Sequence, residues 1–329
     1  MRLPCRVQTD QDVHAICVTP FVFIGCLSFE ERCVAAPLRY WNHHGTHGTF
    51  HLLELEDAPD GVPDYRIARS KKVETNRSKL ANAGLEWTPH KSTVMANVDT
   101  LLQHLDHFTR GTPPTVILDI TSLPKRYFCF FVRKLLEMVP LDNLIVTYTH
   151  AGAEGYTEED HLAADVMSPD TFPGFAGKLH QGQMDLVVAV GFEALGLRSL
   201  ILSLQREIHL RIILPFPAPI ETVRRQWETL REIMENDPGN LRSANVAVIA
   251  AWDTEFVYNI LDNWGTDTNL ILAPFGPKTH TLAMALFAIK QDASLWYTQP
   301  KVYHPDYTRG IGETWWYIVK WRGIACFDR

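Results

Sequence analysis

Along this chain, short runs rich in Val, Ile and Leu alternate with longer stretches whose apolar residues recur every three or four positions. That is the pattern of parallel strands joined by covering helices. In the first half it predicts strands at Phe21–Cys26, Phe50–Leu55, Leu85–Trp87, Thr115–Ile120 and Leu144–Thr149. Helices are predicted at Phe29–Tyr40, Thr93–Phe108 and Lys125–Met138. A polar stretch, Glu56–Ala83, breaks the pattern, and its basic run Arg66–Lys79 reads as a solvated loop, or as a lid over an anionic ligand. In the second half the pattern predicts strands at Leu186–Val190, Leu210–Leu214, Val246–Ala250, Leu270–Ala273 and Leu295–Tyr297. Helices alternate with them at Phe192–Arg206, Ile220–Met234, Glu255–Asn263 and Thr279–Lys290.

The two halves also share local motifs. GCLSFE at Gly25–Glu30 and GFE at Gly191–Glu193 each follow the first strand, and each carries a Phe-Glu pair, Phe29-Glu30 and Phe192-Glu193. LDITSLPKR (Leu118–Arg126) and LAPFGPKTH (Leu272–His280) set Pro124-Lys125 opposite Pro277-Lys278. The last strands end in Tyr148-Thr149 and Tyr297-Thr298, followed by Tyr156 and Tyr303. The expected fold is therefore α/β, two tandem Rossmann-like doubly wound parallel-sheet domains related by internal duplication. The expected division is 1–154, a linker at 155–183, and 184–329 with an aromatic, β-prone tail, TWWYIVKW, at Thr314–Trp321.

Composition restricts the function. With 46% hydrophobic and 21% charged residues the chain is a folded one, and a net charge of -7 argues against binding bulk nucleic acid. The six cysteines lack CxxC spacing, as reduced buried thiols would. Pro4, Asp10, Asp12 and His14 interrupt any signal peptide, and no segment is long and apolar enough to span a membrane, so a cytoplasmic location is expected.

Candidate chemistry gathers at the carboxyl ends of the strands, where open parallel sheets bind ligands. A lysine in the first helical turn combines a cation with free backbone N–H groups, which suits a phosphate. Lys125, Arg126, Lys278 and His280, with hydroxyls from Thr121, Ser122 and Thr279, are the anion-binding candidates. A helix start followed by a solvated lysine fits the same Pro-Lys pairs. Glu30 and Glu193 suit a ribose hydroxyl, a base edge or acid–base work, or simply a helix start; Asp119 and Asp253 are the other candidate catalytic carboxylates. Ser28 and Glu31 have capping-box spacing. His43, His44, His47 and His51 lack a second ligand cluster at a familiar spacing, so they read as a polar loop and no metal or cofactor is expected.

GPKTHTLAMAL (Gly276–Leu286) resembles the strand-to-helix junction of CRISPR-associated Rossmann-fold (CARF) domains, and ITSLPKR looks like a degenerate copy. A tandem pair is similar to the SAVED sensors of bacterial anti-phage signalling. The resemblance implies phosphate contacts from Lys278 and Thr279, with Lys125 as counterpart; Gly276 in the same turn is a further ligand-binding candidate. It also implies base or ribose pockets lined by the residues after the first strands, Ser28, Phe29, Glu30, Phe192 and Glu193. The expected function is recognition of a nucleotide or cyclic oligonucleotide between the halves, relayed to a separate protein effector; a homo-oligomer is compatible with it. Two alternatives remain: an enzyme degrading nucleotides or NAD, and a non-catalytic scaffold subunit.

Overall fold

A computed structural model describes residues 7–8, 20–56, 62–111, 113–137, 139–152, 155, 163–179, 182–191, 196–204, 207–216, 220–235, 241–264 and 269–327. The chain divides into two compact units, one comprising Met1–Ala163 with Lys301–Arg329, the other Ala164–Pro300. The second unit is thus inserted, in sequence, within the first. The short strands β7 (Ala163–Val166) and β14 (Pro300–Tyr303) lie where the chain passes between them.

The first unit is built on β1 (Val7–Gln8), β2 (Phe21–Leu27), β3 (Gly48–Glu56), β4 (Thr88–Thr93), β5 (Thr115–Asp119), β6 (Asn143–Thr149), β15 (Thr314–Trp321) and β16 (Ile324–Ala325). Their order is β1-β15-β6-β5-β2-β3-β4, with β16 pairing β15. The five strands from β6 to β4 are mutually parallel, and β15 runs antiparallel to β6. In order of appearance the parallel strands lie 3-2-1-4-5, the doubly wound arrangement. One face carries Phe21, Phe23, Phe50, Leu52, Ile117 and Trp316 against α1 (Ala35–His44) and Leu80 of α2 (Pro63–Asn82). On the other face, His51 of β3 packs on Phe108 of α3 (Val98–Phe108), which meets Phe131 of α4 (Lys125–Glu137). Asn97 caps α3 by accepting from the Thr100 N–H at 2.8 Å.

The second unit contains β8 (Asp170–Thr171), β9 (Met184–Ala189), β10 (Ile208–Pro215), β11 (Leu241–Ile249), β12 (Asn269–Pro274) and β13 (Ser294–Tyr297). Their order is β11-β10-β9-β12-β13-β8, again 3-2-1-4-5 for the parallel strands, with β8 antiparallel at the edge. Leu197, Leu200 and Ile201 of α5 (Leu197–Leu204) and Leu230 of α6 (Ile220–Glu235) join one apolar cluster with β9, β10 and β12. Helices α7 (Thr254–Trp264) and α8 (Lys278–Gln291) touch through Tyr258 and Phe287, ring centroids 5.9 Å apart. The α/β class with two parallel-dominated sheets thus stands. No helix among the described residues is long and apolar enough to cross a membrane.

Several elements differ from the sequence expectation. The polar stretch read as a loop contains the 20-residue helix α2. Its apolar period is weak because polar contacts hold much of it: buried Arg69 and Asn76 bond backbone carbonyls, and Arg77 pairs with Glu54, Lys79 with Glu31 and Lys72 with Asp306. The expected helix from Phe29 begins as a 3-10 turn, Glu31–Val34, before α1. Ser28 and Glu31 form no capping box: Glu30 occupies the cap position without a side-chain bond to the helix backbone, and Glu31 pairs with Lys79. His43 and His44 close α1 and His47 ends a 3-10 turn, so the histidine run is largely helical. The stretch read as a linker supplies β7 and β8. The aromatic tail, read as part of the second half, is β15 of the first sheet, where Trp316 and Tyr317 are buried against β6 and β1.

Candidate functional site

In a 3-2-1-4-5 sheet the chain moves to opposite sides after the first and fourth strands, so the loops leaving them part and form a crevice. In the first unit these loops leave β2 and β5. Glu30 and Arg32, just beyond β2, are 7% and 2% exposed, and the Arg32 Nε and Nη2 groups both donate to Glu30 Oε2, at 2.9 and 2.6 Å. Arg32 Nη1 donates to the Tyr148 hydroxyl and to the Thr149 carbonyl, each at 3.0 Å. Thr308 donates to the same Glu30 oxygen at 2.8 Å. Asn76 of α2 fixes the loop by donating to the Ser28 and Glu30 carbonyls at 2.9 and 3.2 Å. Phe29 sits under the Arg69 guanidinium, 5.9 Å from its ring centroid.

Thr149 carries this network to β5. Its N–H donates to Thr121 Oγ1 at 2.9 Å, and Thr121 donates from both its backbone N–H and its hydroxyl to Asp119 Oδ1. The Thr147 hydroxyl reaches the same oxygen at 3.2 Å, and Ser122 spans the switch point by donating to the Cys26 carbonyl at 2.7 Å. The structure therefore brings Ser28, Glu30, Asp119, Thr121 and Ser122 to one edge, each within an internal hydrogen-bond network. Lys125 and Arg126 open α4 directly after this loop, half-buried, and Arg126 donates to the Ala96 carbonyl at 3.1 Å.

His150, next after β6, completes the edge. Its ring lies 3.5 Å, centroid to centroid, from Trp315, and its enclosed Nε2 has no hydrogen-bond partner among the described residues. Burial, and then the charge of Arg32, push its pKa down to about 3, so the ring is neutral at neutral pH.

At the corresponding edge of the second unit, Phe192 and Glu193 lie outside the described residues. A Cβ on Gly191 would fall 2.6 Å from the Phe275 carbonyl oxygen, and one on Gly276 3.1 Å from the Ala189 Cβ. The turns leaving β9 and β12 thus run backbone against backbone, which only glycine permits. Gly25, its expected partner in the first half, instead sits inside β2. Lys278 is the first residue of α8 and half-buried. Thr279 and His280 are fully buried and bond the carbonyls of Ala251 and Ala250, the latter at 2.9 Å. Asp253 accepts from the Phe256 N–H at 2.9 Å, the bond of a helix cap.

No pattern in the sequence singles out Arg32, His150 or Thr308, since Tyr148, Thr149 and Thr308 reach the Glu30–Arg32 pair from far along the chain. Nor did it show that His51 is joined by His90 of β4 and His107 of α3, ring nitrogens all within 4.8 Å. Burial first, and then neighbouring histidines, hold His51 and His90 down to about 4. Comparison with protein-family models and with curated proteins finds no match to this chain, so the fold and the edge chemistry described above carry the functional reading.

Proposed function

We propose that the protein recognises a phosphate-bearing nucleotide, of the cyclic-oligonucleotide class, at the carboxyl edges of its parallel sheets, and passes the signal to a separate effector in a bacterial defence or signalling system. One observation carries the reading. Lys125 and Lys278 are each the first residue of the helix that follows the fourth parallel strand, beside the switch point of a 3-2-1-4-5 sheet. A helix start adds free N–H groups and a positive dipole end to each ammonium, a combination suited to phosphate. Two such sheets in one chain also favour an origin by internal duplication.

The carboxylates favour recognition over acid–base chemistry. Glu30 accepts from Arg32 and Thr308, Asp119 accepts from Thr121 and Thr147, and Asp253 caps α7, so each has a structural task. Isothermal titration of the full chain against linear nucleotides and cyclic di-, tri- and tetranucleotides tests the proposal. One class should bind saturably, and Lys125→Ala or Lys278→Ala should weaken it by about tenfold or more, the loss of a charge-assisted contact. Binding by none of these compounds, or turnover of one of them that Glu30→Gln abolishes, would remove it.

A further inference from the structure

On the α3 side of the first sheet, away from the carboxyl edge, imidazoles converge. His51 is fourth in β3, His90 lies in the neighbouring edge strand β4, and His104 and His107 occupy the last two turns of α3, three residues apart on one face. Phe108 forms the wall behind them, its ring centroid 5.3 Å from His51, 4.7 Å from His90 and 5.9 Å from a stacked His104. His51 Nδ1 is 3.0 Å from His90 Nε2. Two protonated nitrogens cannot approach so closely, so at least one ring offers a lone pair and the two share a single proton.

Among the described residues no carboxylate pairs with any of the four rings, and the enclosed His104 Nε2 has no hydrogen-bond partner. Gathering imidazoles without acids to satisfy them carries a desolvation cost. A cation accepting lone pairs would offset it.

We propose that His51, His90 and His107 bind a divalent ion of the zinc class through three neutral ring nitrogens. The donor set decides the ion: imidazole suits zinc, cobalt, nickel and copper, whereas calcium and magnesium require oxygen ligands. Nitrogens at about 2.1 Å from a tetrahedral ion lie about 3.4 Å apart. The His51–His90 pair is already near that spacing. The remaining closure falls to His107, which is exposed and free to change rotamer. On binding, the ion takes the place of the proton between His51 Nδ1 and His90 Nε2, and that proton moves to the other nitrogen of the donor ring, so that both rings stay neutral. Three protein ligands leave a fourth position for water or an external donor. The ion would tie edge strand β4 and the end of α3 to β3.

The test uses the full chain without a histidine tag, stripped with a chelator and titrated with Zn²⁺ by calorimetry and with Co²⁺ by visible absorption. One ion should bind per chain and raise the melting temperature, with the intense d–d bands of a four- or five-coordinate site. His107→Ala, an exposed change compatible with folding, should weaken binding at least about 100-fold, no less than the loss of an outer-shell partner. His90→Ala should do the same and His47→Ala should not. Absence of saturable binding by the wild-type chain would overturn the proposal, as would affinity retained in a folded His107→Ala.

Discussion

Arg32 illustrates how much of the candidate site depends on single side chains. A guanidinium buried to this degree is tolerable only because four hydrogen bonds share its charge among Glu30, Tyr148 and Thr149. It places its positive charge next to His150, with Tyr148 and Trp315 as the other walls of that ring. In the unfolded chain an imidazole titrates near 6.5, but His150 stays neutral down to about 3. Between those values the unfolded state binds the additional proton, so His150 lowers stability progressively as pH falls through the window. His150→Gln should therefore show a flatter dependence of unfolding midpoint on pH below 6.5 than the wild type, read as the difference between parallel denaturant titrations. Identical slopes would mean that the ring protonates freely in the folded protein. Glu30 could be singled out in the sequence by the repeated Phe-Glu pair. Its real partners could not, because Tyr148 and Thr308 join the network across separations of 116 and 278 residues. The imidazole cluster was hidden for the same reason: only His51 belongs to the conspicuous run, strand pairing brings His90 to it, and the packing of α3 brings His104 and His107.

Elements with a clear apolar period were legible almost to the residue: β2, β5, β6, β12, α4 and α6 fall within a few positions of where Val, Ile, Leu and Phe place them. Helix α2 was not, since its buried side chains include Arg69 and Asn76 beside Leu80. It is anchored by polar contacts with the chain's two ends of the unit: Arg69 donates to the Tyr303 carbonyl, Lys72 to Pro305 and Asp306, and Asn76 to the loop after β2. These anchors are unequal in value. Asn76 satisfies two carbonyls in a buried loop, so Asn76→Ala should cost about 1–3 kcal/mol by denaturant melt. The exposed Lys79–Glu31 pair should matter less, with Lys79→Ala within about 1 kcal/mol. Equal losses would show that α2 acts as a charged surface helix rather than as the support of the Glu30 loop.

At the scale of the molecule, the shared 3-2-1-4-5 order could be expected from the alternation of strands and helices, but the assignment of the tail could not. Pattern alone shows that TWWYIVKW is a strand; which sheet edge it joins depends on β6 presenting an open side, a tertiary fact. Deleting residues 314–329 should therefore damage the first unit and spare the second. The burial of Trp316 and Tyr317 is lost, on the order of 5 kcal/mol or more, and β6 becomes an exposed edge. Hydrogen exchange should show faster amides in β5 and β6 and unchanged protection in β9, β10 and β12. Uniform loss across both units, or none, would contradict that assignment.

Because β15 pairs with β6 across 165 residues, the insertion also orders events on the ribosome. The inner unit is fully translated while the outer sheet still lacks its antiparallel strand, and the Glu30–Arg32 network still awaits Thr308. During that interval the open flank of β6 is a docking edge for any nascent neighbour, and closing so long a loop is slow. Crowded polysomes making this chain should thus favour misassembly through β6, and a chaperone that shields that flank until translation passes Trp321 should raise the yield of native protein.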